Sequence, residues 1–354
     1  MANLNIRKPR FYVDLINFLQ NRDTAGGHYG ISTSTNQIDV VSGNNIANLY
    51  DMRPLNQVEF NTTGDTDGHV NLWFDLKTSG FKVDFVAILN HNMHSTDAKV
   101  RISSSETKSH VEAVDHASAT NTESGNVLTE IIGAGDISNN KAMPDNTNSW
   151  DTGHMIVEFP EQADRYWGIQ FEGTNSQSST GHGDGTFDGT TNLKIGSIFL
   201  GQYYDMPHSP DLSVKRSIDF DGVKIQESLG GQRFSTMTQH GRQNITSTNK
   251  SPFHTYYNSF GAYGGRMSYD MKFSYLNSTD IMPNNYNEFQ PNDEAIIEDL
   301  WNKTNGRHTP FIFTQDGTST AYSDYLFARF GQNSLDMTQV APDVFNVAMR
   351  IEEE

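Results

Sequence analysis

The chain has 354 residues, which predicts about two domains and is enough to bury sizeable hydrophobic cores. Hydrophobic residues make up 35%, charged residues 19% and aromatic residues 11%, a composition that indicates an ordered protein with a large, mostly uncharged polar surface. The net charge of −18 disfavours nucleic acid and anionic membranes as partners, and the absence of cysteine excludes disulfides and thiolate chemistry.

The N-terminal residues 1–23 lack the uninterrupted apolar core of a secretory signal peptide. No stretch approaches the roughly 18 apolar residues of a membrane-spanning helix, so we expect no membrane insertion. We therefore expect a protein that is made in a cytoplasm and is not exported by a visible N-terminal signal. One class of protein with these properties that ends up outside cells is the virion component, which is released by lysis.

Short strands dominate the predicted elements of the first half. Residues 10–20 are compatible with an amphipathic helix or a strand. Alternation of apolar and polar residues, bounded by turn residues, then predicts strands at 57–60, 70–76, 81–89, 99–103, 154–159, 166–171 and 193–200. The polar segment 104–151, with one apolar island at 127–132, predicts long and weakly structured connections.

A domain boundary is predicted at residues 206–210, because Pro207 and Pro210 interrupt helices and sheet ladders alike. Beyond it, residues 213–220 and 223–227 are predicted strands that Asp221-Gly222 joins as a hairpin. Further predicted strands are 233–239, 310–314, 325–330 and 344–351.

One helix stands out at residues 292–303. Asn292 is its predicted N-cap, and Ile296, Ile297, Leu300 and Trp301 form one apolar stripe at helical spacing. The pattern as a whole predicts a mainly β protein with two β-sandwich domains, residues 1–209 and 210–354, the second carrying the helix.

Two sets of strand patterns resemble known families. Residues 48–51, 70–76, 86–92 and 165–171 resemble the galactose-binding-like (discoidin-type) jelly roll that occurs as a module of bacteriophage tail proteins, and residues 194–201 resemble the strand that ends such modules in minor tail proteins. Residues 293–301, 310–313, 327–330 and 347–352 resemble the β-sandwich-plus-helix part of distal tail and tail-tube proteins. A typical distal tail protein opens with its ring-forming domain, whereas this chain places the jelly roll first.

This resemblance implies a structural virion protein of a phage tail: a distal tail, tail tip or adaptor protein that assembles with itself and docks to other tail proteins. Rings in the family are commonly six-fold, and the second domain would supply the ring contacts. The alternative is a carbohydrate-binding adhesin, a receptor-binding tail fibre or a secreted lectin-like module for a host surface glycan, in which Trp73, Trp167 or surface tyrosines stack on sugar rings.

Enzyme signatures are missing from the sequence. It contains no G-x-S-x-G, H-E-x-x-H, P-loop or G-x-G-x-x-G motif, and nothing in it pairs two carboxylates for glycoside hydrolysis. We therefore predict no catalytic, cofactor-binding or metal-binding residues and no enzyme activity. A hydrolase of the cell envelope is a third hypothesis with no motif behind it.

Three loop clusters carry residue types that can bind a metal. His91 and His94 follow the strand at 81–89, and Asp184 and Asp188 lie in a Gly/Asp loop at 181–190. Asp65 and Asp67 lie in a similar turn. For His91 and Asn92 we favour hydrogen bonding to strand ends, and for the aspartates a flexible surface turn.

An aromatic run extends over residues 253–275, interrupted by Gly261, Gly264 and Gly265. Tyrosine and phenylalanine at this density predict either a sandwich core or a contact between subunits, and the pattern does not separate the two. Trp301 on the helix is predicted to be core.

Overall fold

A computed structural model describes residues 7–23, 25–33, 36–93, 95–112, 126–131, 140–141, 154–173, 185–219, 223–237, 266–283, 294–319 and 324–354. The helices are α1 Leu15–Arg22, a 3₁₀ helix Ile46–Tyr50, α2 Lys108–Glu112, α3 Ser278–Ile281 and a π-helix Ile296–Asn302. None of these helices is long and apolar enough to cross a membrane.

Strands predominate, which confirms the predicted mainly β fold. Those of the first half are β1 Arg10–Asp14, β2 Tyr29–Ile31, β3 Val58–Phe60, β4 Val70–Asp75, β5 Val83–Leu89, β6 Ala98–Ser105, β7 Asn126–Ile131, β8 Asn140–Lys141, β9 His154–Gln162, β10 Tyr166–Gly173, β11 Leu193–Ile195 and β12 Ser197–Asp205. Those of the second half are β13 Lys215–Asp219, β14 Val223–Glu227, β15 Arg233–Met237, β16 Arg266–Asn277, β17 Phe311–Thr314, β18 Tyr325–Phe330, β19 Met337–Ala341 and β20 Val344–Glu353.

The segment whose pattern fitted a helix or a strand contains both. Strand β1 runs directly into α1, and Asp14 is the residue at which one becomes the other. Its carboxylate accepts hydrogen bonds from the backbone N–H groups of Ile16 and Asn17 at 3.2 and 3.0 Å, which satisfies donors that a helix start leaves open.

The first half is a β-sandwich. A five-stranded sheet in the order β2-β4-β10-β6-β7 packs its apolar face against strands β5, β9 and β12 of a larger sheet. Leu72 and Ile169 contribute from one side and Ile88 from the other, all fully buried. Burial of such side chains contributes about 1.5–3 kcal/mol each, which makes this cluster the main stabilising element of the half.

Two sequence predictions in this half need correction. The apolar island predicted as part of a weakly structured connection is strand β7, because the edge of β6 offers it backbone partners from Val100 to Ser104. The strand predicted at 193–200 is two strands separated at Gly196. A Cβ on Gly196 would lie 1.9 Å from the Pro54 carbonyl oxygen, so only glycine permits this approach of the two backbones.

The large sheet runs through both halves of the molecule. Its order is β13-β16-β20-β18-β17-β1-β12-β5-β9-β8, with β19 paired to β20. Strand β1 is the link, because it pairs with β12 on one side and with β17 on the other. Phe11 and Val13 consequently belong to the core of the second half. The predicted boundary at residue 209 stays a prediction, and the sheet crosses it.

In the second half the π-helix packs on the sheet. Ile296 and Leu300 are buried against residues of β16, β17, β18 and β20. The helix therefore lies where the apolar stripe predicted it but begins at Ile296, with Ala295 as its N-cap. The predicted cap Asn292 lies outside the described residues.

The hairpin predicted at Asp221-Gly222 is wrong. Strand β13 pairs with β16, and β14 pairs with β15. The turn that reverses the chain is supplied instead by residues 228–232, so the two strands that the prediction joined belong to different sheets.

Candidate docking surface

A two-stranded hairpin, β14–β15, stands apart from the sheets, and we name residues 223–237 the hairpin arm. Its strands pair with each other from Val223↔Met237 to Glu227↔Arg233, and with no other strand among the described residues. Every residue from 223 to 236 is exposed. The arm therefore lacks the packing that other strands of the protein have. A two-stranded hairpin without such packing is marginally stable in water.

Two backbone hydrogen bonds hold the turn at the tip of the hairpin arm. The Ser228 N–H donates to the Gln232 carbonyl oxygen at 2.8 Å, and the Gly231 N–H donates to the Ser228 carbonyl oxygen at 2.8 Å. Gly231 has φ +78°, a conformation that glycine adopts without the steric cost of a Cβ. The arm therefore has a defined shape at its turn although residues 223–236 are all exposed.

Apolar side chains lie on both faces of the arm. Ile225 is 65% exposed and faces the same side as its partner Ser235, while Phe234 is 53% exposed and faces the other side with Gln226. Leu229 is fully exposed at the tip. Both faces of the arm are therefore exposed to solvent with respect to the described residues, whereas sandwich strands such as β4 and β10 bury at least one face.

The exposed hydrophobic side chains are concentrated in the second half. Of the eleven large hydrophobic residues that are exposed among the described ranges, ten lie beyond residue 209. They are Leu212, Ile218, Val223, Ile225, Leu229, Phe234, Tyr275, Met282, Met337 and Val340, and the remaining one is Leu55. Contiguous exposed apolar groups indicate interaction sites, so the four of these residues that share the hairpin arm, Val223, Ile225, Leu229 and Phe234, are the relevant set.

Tyr275 is a second prominent side chain on this half. It lies where β16 slips its register against β20 between Phe273 and Leu276, and it has φ +63° and an exposure of 79%. Irregularities of this kind redirect one side chain out of the regular alternation. Here the redirected side chain is a tyrosine, a residue type enriched at protein interfaces.

His91 and Asn92 of the predicted histidine cluster lie among the described residues. His91 is buried, and burial lowers its pKa to about 4, so the imidazole is neutral near neutral pH. Asn92 accepts from the Lys194 N–H at 2.7 Å and donates to the Asn192 carbonyl oxygen at 2.9 Å, the predicted bonding to a neighbouring strand. His94 lies outside the described residues.

The two aspartate loops, treated separately in the sequence, meet in the structure. The Phe187 N–H donates to the Thr66 carbonyl oxygen at 3.0 Å, which brings Asp188 to the loop of Asp65 and Asp67. The carboxylate of Asp188 accepts from the Thr190 hydroxyl. Asp184 lies outside the described residues, and within those ranges no three acidic or histidine side chains gather as a metal site.

The two tryptophans predicted to stack on sugar rings differ in burial. Trp167 is completely buried and stacks on Phe159 with ring centroids 5.6 Å apart, so its role as a platform is wrong. Trp73 is half-buried. The Lys108 ammonium lies 3.6 Å from its ring centroid, and the indole N–H donates to the Ile31 carbonyl oxygen at 3.2 Å. Part of its surface faces solvent.

The aromatic run divides between core and surface. Tyr269 and Phe273 are core residues of the second half, whereas Tyr275 is exposed. The residues of the run from 253 to 265 lie outside the described ranges. Trp301, predicted to be core, is partly buried: it packs against the core of the second half and lies on Phe330 with ring centroids 5.1 Å apart, but is not a member of the buried cluster.

No known protein family and no curated protein matches the chain. Solved structures with partial similarity include chitosan-binding module 1 from a chitosanase/glucanase of Paenibacillus sp. IK-5, with 11% identity, coverage of 49% of this chain and 93% of that chain, and a TM-score of 0.28. A second is CBM32-3 from a family 31 glycoside hydrolase of Clostridium perfringens, with 9% identity, coverage of 49% of this chain and 92% of that chain, and a TM-score of 0.28.

A third is CpGH89CBM32-4 of Clostridium perfringens in complex with glcNAc-alpha-1,4-galactose, with 17% identity, coverage of 57% of this chain and 98% of that chain, and a TM-score of 0.27. At these TM-scores the similarities carry no argument about what this chain binds. They also lend no support to the resemblance to phage tail proteins.

Proposed function

We propose that this chain is a non-enzymatic structural protein that assembles with copies of itself or with other proteins through its second half. The observation that carries the proposal is the hairpin arm. Its apolar side chains are exposed on both faces, and both of its outer backbone edges are unpaired among the described strands.

In the isolated chain the arm has solvent-exposed apolar side chains and strand edges that pair with no other described strand. Water solvates Ile225, Leu229 and Phe234 at a cost that burial in a partner would remove, at about 25 cal/mol per Å² of apolar surface. The unpaired edges of β14 and β15 would gain backbone hydrogen bonds from an adjacent strand. An arm that inserts into a different surface of the next copy forms a head-to-tail contact, and such contacts close into rings or extend into filaments.

The finer proposal is a position in a bacteriophage tail, as a homo-oligomeric ring with other tail proteins as neighbours. It is supported by the strand patterns that resemble distal tail proteins and by an arm suited to subunit contacts. The proposed location in the virion tail and the six-fold symmetry rest on that resemblance alone. Co-purification of the tagged chain with tail proteins from an infected host tests this level separately.

The assembly proposal is tested by sedimentation velocity at increasing concentration of the wild type and of an Ile225→Ser, Phe234→Ser variant. We expect the wild type to form oligomers and the variant to shift toward monomer, because its arm loses the apolar side chains. Lys224→Ser and Thr236→Ser on the same strands are the matched control and should leave assembly unchanged. A wild type that stays monomeric alone and with tail proteins overturns the proposal.

The second candidate function is carbohydrate binding, as an adhesin or receptor-binding protein. The observation that favours it is Trp73, a half-buried indole with solvent access on a sheet face lined by polar residues. A glycan array with wild type and Trp73→Ala tests it. Specific binding that the substitution abolishes supports this function, and absence of binding to host polysaccharides removes it.

A further inference from the structure

A cleft of about 440 Å³ lies between the two halves of the molecule, away from the hairpin arm. Strands β5, β9 and β12 form one wall, and α3 and the residues just before the π-helix form the other. The lining residues are Lys8, Asp84, Phe159, Pro160, Glu161, Gln202, Tyr203, Tyr204, Asp205, Pro207, Asp280 and Glu294. Its volume is in the range of small-ligand sites.

The cleft carries an excess of negative charge. Five carboxylates and a single lysine line it. The nearby Arg10 does not balance them, because its guanidinium is already engaged: it donates twice to Asp205, at 2.7 and 2.8 Å, and once to Glu158 at 2.6 Å. Asp205 is thus paired with Arg10, and Glu161 is paired with Lys82 at 3.1 Å. Among the described residues Asp84, Asp280 and Glu294 have no such ion pair, so a cation in the cleft would meet these three carboxylates.

Asp84 is the most distinctive of these groups. It is 6% exposed, and its Oδ1 accepts from the Tyr203 N–H at 2.8 Å, while no hydrogen bond reaches its Oδ2 from the described residues. Burial raises the pKa of Asp84 to about 8; Glu158 and Glu161 on β9 add to the rise, and Arg10 on β1 opposes it. A buried carboxylate without a cation is costly, and a cationic ligand would remove that cost.

The same wall already holds an ammonium group. Lys303 is buried, and its Nζ donates to the Asp299 carboxylate at 2.6 Å and to the Gln202 Oε1 at 3.0 Å. Gln202 lines the cleft, whereas Asp299 and Lys303 do not, so an amide at the edge of the cleft already accepts from one ammonium group of the chain itself. We propose that the cleft binds a ligand that carries a primary ammonium group, with the Asp84 carboxylate as its charged partner.

Calorimetric titration of the full chain tests the proposal with three probes: 1,4-diaminobutane, a β-1,4-linked glucosamine disaccharide and the same disaccharide N-acetylated. We expect the two amine probes to bind and the acetylated one not to bind, because acetylation removes the charge and keeps the sugar. Tighter binding of the amino disaccharide than of the diamine identifies an amino sugar as the source of the ammonium; the reverse identifies a simple amine. Equal binding of the acetylated disaccharide overturns the proposal.

Variants locate the binding within the molecule. Asp84→Asn keeps the acceptor for the Tyr203 N–H and should weaken amine binding at least about 30-fold, as expected for loss of one partner of a desolvated charge pair. Glu161→Gln should weaken it less, since Glu161 is shared with Lys82 at 3.1 Å. Glu106→Gln, an exposed carboxylate that lies outside both the cleft and the hairpin arm, is the matched control. Unchanged affinity in Asp84→Asn overturns the proposal.

A second readout needs no variant. The ammonium of 1,4-diaminobutane, like that of lysine, stays charged below about pH 9, so the pH dependence reports the protein. Binding of the cation should drive a proton off Asp84, so affinity should rise from pH 6 to 8 and the binding enthalpy at pH 7 should vary with the ionisation enthalpy of the buffer. The titratable and charged groups around Asp84 are Arg10, Glu158, Glu161, Tyr203 and Asp205. Binding without proton release overturns Asp84 as the partner.

Discussion

The two halves of the molecule differ in how completely they bury their hydrophobic side chains. In the described part of the first half, Leu55 is the one large hydrophobic residue that is exposed, and a continuous core fills the sandwich. In the second half ten such residues are exposed, five of them between β13 and β15. The described part of the first half therefore buries nearly all of its large hydrophobic side chains, whereas the second half leaves apolar surface exposed that the proposed partner would cover.

The largest expected effect is on the free energy of unfolding, and it distinguishes a core residue of the first half from a residue of the hairpin arm. Trp167→Ala in the first half should lower the free energy of unfolding by about 3–5 kcal/mol, because it leaves a cavity in a fully buried site. Phe234→Ser in the arm should change it by less than about 0.5 kcal/mol in the monomer, since its ring packs against little of the protein. Urea unfolding of both variants measures the difference. A cost in Phe234→Ser comparable to that of Trp167→Ala would show that the arm belongs to the core.

The next effect is the pH dependence of stability that Asp84 in the cleft contributes. Its pKa of about 8 lies above the value near 4 expected in the unfolded chain, so the folded state retains a proton that the unfolded state loses. Stability should therefore fall as pH rises from about 4 to 8, by on the order of 1.4 kcal/mol per pH unit from this group.

Asp84→Asn removes this titration and should flatten that pH dependence, with a gain in stability at pH 8 and little change at pH 4. Thermal unfolding of both proteins across this range measures the effect. Parallel curves for the two proteins would mean that Asp84 is ionised in the folded state at neutral pH.

A smaller effect tests the continuity of the large sheet. A Cβ on Gly201 would lie 1.9 Å from the Val13 carbonyl oxygen, at the point where β1 joins β12. Gly201→Ala should cost about 1–3 kcal/mol through overpacking and should destabilise both halves together. Gly230→Ala, whose Cβ would meet nothing closer than 3.9 Å, is the matched control. Separate melting of the two halves in Gly201→Ala would argue that the shared sheet does not couple them.

The sequence predicted the strands well where alternation was strong, as at 70–76 and 166–171, because one face of each lies in the core. The sequence could not predict which strands pair with each other. Asp221-Gly222 has hairpin chemistry, yet β13 pairs with β16, since pairing depends on residues far along the chain. Likewise β7 was assigned to a connection because its partner β6 was not evident from local pattern.

The candidate site was less predictable than the fold. Val223, Ile225 and Phe234 follow the alternation of ordinary strands, and a pattern of this kind gives no sign that both faces remain exposed. The Gly230-Gly231 turn was the available local signal for the arm. Asp84 lies within a run of buried apolar residues, and its role depends on neighbours from β1, β9 and β12 that only the tertiary structure brings together.

The central claim is that the hairpin arm is a docking element, and hydrogen–deuterium exchange of residues 223–237 as a function of protein concentration tests it most directly. The amides on the outer edges of β14 and β15 pair with no other described strand, so we predict fast exchange at low concentration and protection that grows as the protein assembles. Protection should be lost in the Ile225→Ser, Phe234→Ser variant. Fast exchange of the arm in an assembled particle would contradict the account.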